Sequence, residues 1–178
     1  MTKTAPHQIF TIGHSTRPLD LFISILKSYN INLVVDVRTI PRSRFNPQFN
    51  KDTLPAVING REIEYVHMAG LGGLRKSNPN SVNKGWHNAS FRNYADYMQT
   101  DEFKSSIETL IDMSTKNNLV IMCAETLPWR CHRSLIADAL LIRGFVVQDI
   151  FKEGVLKEHK LTPFAQANGI EITYPTSE

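Results

Sequence analysis

Two cysteines stand eight positions apart in the stretch Cys123-Ala124-Glu125-Thr126-Leu127-Pro128-Trp129-Arg130-Cys131-His132-Arg133. A thiol acts as a nucleophile in its thiolate form, which neighbouring cations or a helix N-terminus favour. Cys131 meets that description, with Arg130, His132 and Arg133 beside it and an apolar helical run just beyond. Cys123 ends a continuous apolar run and reads as core, where free cysteines commonly lie. Cys131 is therefore the candidate nucleophile, with His132 and Glu125 as candidate acid or base and Arg130 and Arg133 as anion-holding groups. Glu125 keeps two readings: a carboxyl lifted by burial into acid–base work, or a plain arginine partner. The spacing from Cys123 to Arg130 is C-x6-R, not the C-x5-R of cysteine-dependent phosphatases, and that loop's glycines are absent. Nor is C-x7-C a zinc spacing or the C-x-x-C of a redox pair. No metal and no cofactor is expected.

Other reactive side chains follow other apolar runs. Gly13-His14-Ser15 precedes a helical stripe. Either His14 and Ser15 serve an anion at a helix N-terminus, or Ser15 caps that helix and Gly13 permits a turn. Arg38, Arg42 and Arg44 crowd a short loop, and three guanidinium groups there invite an anionic guest such as phosphate. Asp36 reads as a partner for one of them rather than a base. His67 precedes Gly70-Leu71-Gly72-Gly73, where Gly72 and Gly73 allow close backbone approach to a ligand or simply make a turn. That run is neither the G-x-G-x-x-G fingerprint nor a phosphate-binding P-loop. Trp86 and His87 form a lid, stack on a base, or pack on the surface.

The elements that must position these groups are visible as periodicities. Five short apolar, β-branched runs, Ile9 to Ile12, Leu33 to Val37, Ile63 to Val66, Leu119 to Met122 and Phe145 to Val147, suit strands buried on both faces of a mainly parallel sheet. Helical stripes lie between them: Leu19, Phe22, Ile23, Leu26; Phe103, Ile107, Leu110, Ile111; and Leu135, Ile136, Ala139, Leu140. Ser15 or Thr16 is the expected N-cap of the first, with Pro18 in its first turn, and Asn30 its stop; Gly144 should close the third. The alternation predicts one α/β domain over residues 1–178. Its fold is doubly wound, a mainly parallel sheet of about five strands with helices on both faces. A polar loop is expected over 76–90 and an unstructured tail over 175–178. In such sheets ligands bind outside the C-terminal ends of the strands, where all these candidates fall.

Bulk properties narrow the class. The chain has 178 residues, 42% hydrophobic and 21% charged, enough for one core. A net charge of +3 permits an anionic partner without the dense basic stripe of a dedicated nucleic-acid binder. Two cysteines make no disulfide framework, the opening MTKTAPHQ is polar, and no apolar run approaches the ~18 residues that span a bilayer. A reduced, cytoplasmic protein without membrane association is expected.

The stretches TIGHS, DVRTIPRSRFNPQFN, YVHMAGLGG and CAETLPWRCHR, in that order, resemble the domain-of-unknown-function 488 family. The resemblance runs from about Ile9 to Asp149 and touches HKLTPF from His159. It implies an α/β domain that brings these motifs together, and it brings no established activity.

Two functions fit the residues. One is an enzyme acting on an anionic, phosphate-bearing small molecule, nucleotide or nucleic acid, with Arg38, Arg42, Arg44, Arg130, Arg133, Ser15, His67, Gly72 and Gly73 binding it and His14, Glu125, Cys131 and His132 reacting. The other is a non-catalytic module that binds nucleic acid or nucleotide through the same arginines.

Overall fold

A computed structural model describes residues 7–176. Five parallel strands form the centre: β1 (Gln8–Gly13), β2 (Leu33–Asp36), β3 (Glu64–His67), β4 (Leu119–Cys123) and β5 (Val146–Lys152). They lie in the order β3-β2-β4-β1-β5, and an antiparallel edge strand β6 (Val155–Glu158) pairs with β5. A small hairpin, β7 (Gln166–Asn168) with β8 (Glu171–Thr173), stands apart. All five apolar runs are strands. The sheet has six strands because β6, exposed throughout, carries no apolar run to mark it.

Alternation along the buried strands divides the core. Phe10, Ile12, Val34, Val120 and Met122 face α1 (Leu19–Ser28) and α2 (Leu54–Asn59). Ile9, Leu33, Val35, Leu119 and Ile121 face α3 (Ala89–Tyr97), α4 (Asp101–Lys116) and α5 (Arg133–Leu141). Helix α1 shows why its sequence folds so. Phe22, Ile23, Ile25 and Leu26 are all buried on one stripe, contributing roughly 6–12 kcal/mol gross of apolar burial. Its N-cap is Pro18, not Ser15 or Thr16, and no side chain caps it. Ser15 instead adopts φ 52°, turning the chain between β1 and α1. Asn30 (φ 54°) and Gly144 (φ 87°) lie just past the ends of α1 and α5.

After β1 the chain crosses one face through α1; after β4 it crosses the other through α5. The loops that leave β2 and β4 border a crevice at the carboxyl end of the sheet.

The expected polar loop over 76–90 is tied down, and α3 takes over at Ala89. Asn88 caps that helix by accepting from the Ser90 and Phe91 amides. Asn83 is fully buried: its Nδ2 donates to Asp96 Oδ1 (2.7 Å) and its Oδ1 accepts from the Tyr174 amide (2.8 Å). Trp86 packs on Phe91, Phe164 and Tyr174 rather than forming a lid, while His87 is exposed. Of the expected loose tail over 175–178, Pro175 lies half-buried against Gly85, and residues 177–178 are outside those described. Among the described residues no helix is long and apolar enough to cross a membrane.

Candidate active site at the carboxyl ends of β2 and β4

The crevice holds a cleft of about 450 Å³ lined by Arg38, Arg42, Gly73, Cys123, Glu125, Arg130, Cys131 and His132, with Ile40, Leu74 and Phe91 as its apolar wall. Its floor is built by two segments bonded together. The His14 amide donates to the Cys123 carbonyl (2.8 Å) and the Ser15 amide to that of Ala124 (3.0 Å). The approach is so close that a Cβ on Gly13 would sit 1.8 Å from the Glu125 carbonyl oxygen, so only glycine fits.

A 3-10 turn at Pro128–Arg130 returns the chain after β4 and starts α5, bringing Cys131 Sγ 2.6 Å from Cys123 Sγ. Both cysteines are buried and free, at the cleft floor. Burial alone would raise the Cys131 thiol, but hydrogen bonds from Cys123 and His132 and the nearby His132 and Arg133 charges outweigh it. The Cys131 thiol is held well below its ordinary value, so it is the thiolate of the pair. Burial and the Cys131 charge push Cys123 well up, so Cys123 is the thiol that donates.

His132 sits at the first turn of α5 between Gly73 and Tyr94. A Cβ on Gly73 would meet its Nδ1 at 2.7 Å, and the Tyr94 ring lies 5.1 Å away. Its Nε2 lies 3.0 Å from the Val37 carbonyl, which can only accept, so Nε2 carries a hydrogen. Nδ1 then faces Cys131 Sγ at 3.6 Å, placed to pass a proton between ring and sulfur. This is the geometry of a nucleophile, a base and an orienting acceptor. The Gly70–Gly73 run thus serves close packing on a side chain. Gly72 likewise packs against Thr39, and Arg75 bonds the carbonyls of Ala69, Gly70 and Gly72.

The arginines divide sharply. Arg133, expected to hold substrate, is 1% exposed and turned inward. Its Nε donates to Cys123 Sγ (3.0 Å), Nη1 to Thr11 Oγ1 (3.2 Å), and Nη2 to the carbonyls of Glu125 (2.5 Å) and Thr126 (3.4 Å). It clamps the loop and the thiols instead of a ligand. Arg38 is similarly engaged, by Asp36 through Nε (2.9 Å) and Nη2 (2.6 Å), by the Phe49 carbonyl and by His14 Nε2. Asp36, which also accepts from Tyr65 (2.6 Å), is the arginine partner the sequence favoured. Arg42 and Arg130 are exposed at the cleft wall, Arg42 with only a distant Asp52 partner at 3.9 Å. Arg44 is exposed and does not line the cleft.

His14, expected to react, lies beneath the cleft with both nitrogens engaged. Its Nδ1 bonds the Ser15 carbonyl (2.8 Å) and its Nε2 accepts from Arg38 Nη1 (3.1 Å). Burial lowers its pKa to about 4, so it stays neutral and positions Arg38. Ser15 and His67 also lie off the cleft. His67 bonds the Arg38 carbonyl and Lys51. Glu125 is exposed at the rim, accepting from the Leu127 amide, and lacks the burial that acid catalysis would need. Among the described residues no group of three His, Cys, Asp or Glu side chains is placed to hold a metal ion.

One family profile, described as "Domain of unknown function DUF488", matches residues 18–140 of the chain. The chain belongs to the DUF488 family. No curated protein and no solved structure matches it. The DUF488 match spans α1 to α5 and so includes Arg38, Gly73, Cys123, Cys131 and His132. Gly13-His14-Ser15 and the segment from His159 lie outside it.

Sequence reasoning missed three parts of this DUF488 site. The Val37 carbonyl orients His132, but a backbone acceptor leaves no sequence signal. Cys123 belongs to the site as well as the core; its position at a strand end was the available clue. Behind Arg133 runs a buried polar chain. Thr11 donates to Asp149 (2.5 Å), His159 bridges Asp149 (3.8 Å) and Asp138 (2.8 Å), and Tyr174 donates to Asp138 (2.9 Å).

Proposed function

We propose that this DUF488 protein is an enzyme that uses the Cys131 thiolate as a nucleophile on a small, phosphate-bearing molecule. The observation that carries the reading is His132, held between the Val37 carbonyl and Cys131 Sγ at the floor of a cleft with free arginines on its wall. Binding alone needs the arginines; it does not need a thiol and an imidazole held in register. Arg42 and Arg130 grip the anion, and Ile40, Leu74 and Phe91 take the apolar body of the molecule. Because Arg133 is bonded inward, the guanidinium groups left to the phosphate are those on the cleft wall, Arg42 and Arg130. The phosphate is therefore a handle, and the electrophile lies elsewhere on the substrate. His132 Nδ1 takes the thiol proton and returns it to the leaving group. A cleft of about 450 Å³ suits one nucleotide-sized molecule and not a long nucleic-acid strand.

The test is a thermal-shift screen of the whole chain against nucleoside monophosphates, sugar phosphates and short oligonucleotides, with intact mass of each mixture after acid quench. A rise in Tm with a small phosphate, lost in the Arg42→Ala/Arg130→Ala double variant, with a mass adduct absent in Cys131→Ser, is the expected result. A shift with oligonucleotides alone, vanishing with salt and leaving no adduct, would replace the enzyme with a non-catalytic binding module.

A further inference from the structure

The two thiols have a chemistry of their own that does not depend on the anion reading. Their sulfurs are 2.6 Å apart, on segments that are both braced: Cys123 ends a central strand and Cys131 joins the 3-10 turn to the start of α5. Arg133 spans the pair, its Nε on Cys123 Sγ (3.0 Å) and its backbone amide on Cys131 Sγ (3.5 Å). The chain has no further cysteine, so an oxidised Cys131 has one intramolecular partner. Both sulfurs lie at the floor of the cleft with the residues only 3% and 6% exposed. So little exposure at the bottom of a cleft favours a small oxidant over the disulfide of another protein.

We infer that Cys123 and Cys131 form a redox-active dithiol that reduces a small hydroperoxide. The Cys131 sulfur attacks the terminal peroxide oxygen and the O–O bond breaks. The departing alkoxide takes the proton from His132 Nδ1 and leaves as the alcohol, and Cys131 becomes a sulfenic acid. Cys123 then attacks the Cys131 sulfur, its developing charge met by Arg133 Nε. The S–O bond breaks, the hydroxide leaves with the Cys123 proton as water, and the disulfide forms. One hydroperoxide gives one alcohol and one water while the dithiol loses two electrons and two protons. The eight-residue separation hid this pair in the sequence, because the turn at Pro128–Arg130 alone brings the sulfurs together.

The experiment treats the reduced full-length chain, without free thiol, with one equivalent of hydrogen peroxide or cumene hydroperoxide. Denatured intact mass, thiol titration and peroxide consumption are followed together. The expected result is loss of two hydrogen masses, disappearance of both thiols in step with one peroxide, and a rate at least about 10²-fold above free cysteine at the same pH. Dithiothreitol restores the starting mass. Cys123→Ser should stop at a sulfenic acid that a cyclic dione traps, and Cys131→Ser should react no faster than free cysteine. Reaction of the unaltered chain at the free-cysteine rate, or a gain of oxygen mass in place of hydrogen loss, would overturn the inference whether or not the variants fold.

Discussion

His159 should make the folded state lose stability between pH 6.5 and about 9. Its imidazole lies between Asp138 (2.8 Å) and Asp149 (3.8 Å), and the side chain is only 10% exposed. Burial opposes its charge, but the hydrogen bonds and charges of both carboxylates prevail and raise its pKa from 6.5 to about 9. A proton held more tightly by the folded than by the unfolded chain stabilises the fold, in full below pH 6.5. The contribution declines as pH rises through the window and is gone above about 9. The shift corresponds to roughly 3 kcal/mol, and so little exposure leaves solvent small scope to screen it. His14 acts on the opposite limb. Its pKa of about 4 means that the unfolded chain binds the proton more tightly, so its contribution is lost as pH falls from 6.5 through 4. Together the two histidines place maximum stability near pH 6.5. Urea unfolding of the native chain and of His159→Gln, at half-unit steps from pH 6 to 10, measures the effect. The native chain should lose roughly 3 kcal/mol more than the variant across the window, and the gap between them should close at the alkaline end. Parallel curves would refute the assignment of the raised pKa to His159.

Four substitutions test the site's construction. Gly73→Ala places a Cβ 2.7 Å from His132 Nδ1, so the ring must shift. Alkylation of Cys131 by iodoacetamide at neutral pH should slow, by up to about 10²-fold, with circular dichroism unchanged. Gly13→Ala puts a Cβ 1.8 Å from the Glu125 carbonyl and forces two strand ends apart, a loss of about 4 kcal/mol or more by urea unfolding. Arg133→Met strips partners from Cys123, Thr11 and two carbonyls and should cost roughly 3–5 kcal/mol, whereas Arg42→Ala should stay within about 0.5 kcal/mol. Equal stabilities for these last two would contradict the division between inward and outward arginines.

The parallel sheet was legible because its strands are buried on both faces and write continuous apolar runs, as in Leu119–Cys123. Helices α1, α4 and α5 were legible from their stripes. Helix α2 has six residues, too few for a periodicity, and α3, ASFRNYADY, carries its short stripe of Phe91, Tyr94 and Ala95 among polar residues that continue the composition of the loop before it. Strands β6 and β7 face solvent and carry no pattern. In the candidate site, the placement of Cys131 and His132 together before a helix was legible from the sequence. The roles of Arg133 and His14 were not, because an arginine or histidine beside a cleft has the same sequence whether it points out to a ligand or in to a carbonyl. What separated them was the count of donors already engaged.

The strand order also bears on how the chain is made. Among the described residues β1 pairs only with β4 and β5, and neither exists until residues 119 onward have been synthesised. At ordinary rates of translation the intervening residues take about 5–20 s to emerge. Through that interval QIFTIG is an unpaired apolar strand with both edges open. The first strand made is thus among the last to be completed. Until β4 emerges, that strand is exposed to aggregation and to chaperone capture, while β2 and β3 already have each other as partners.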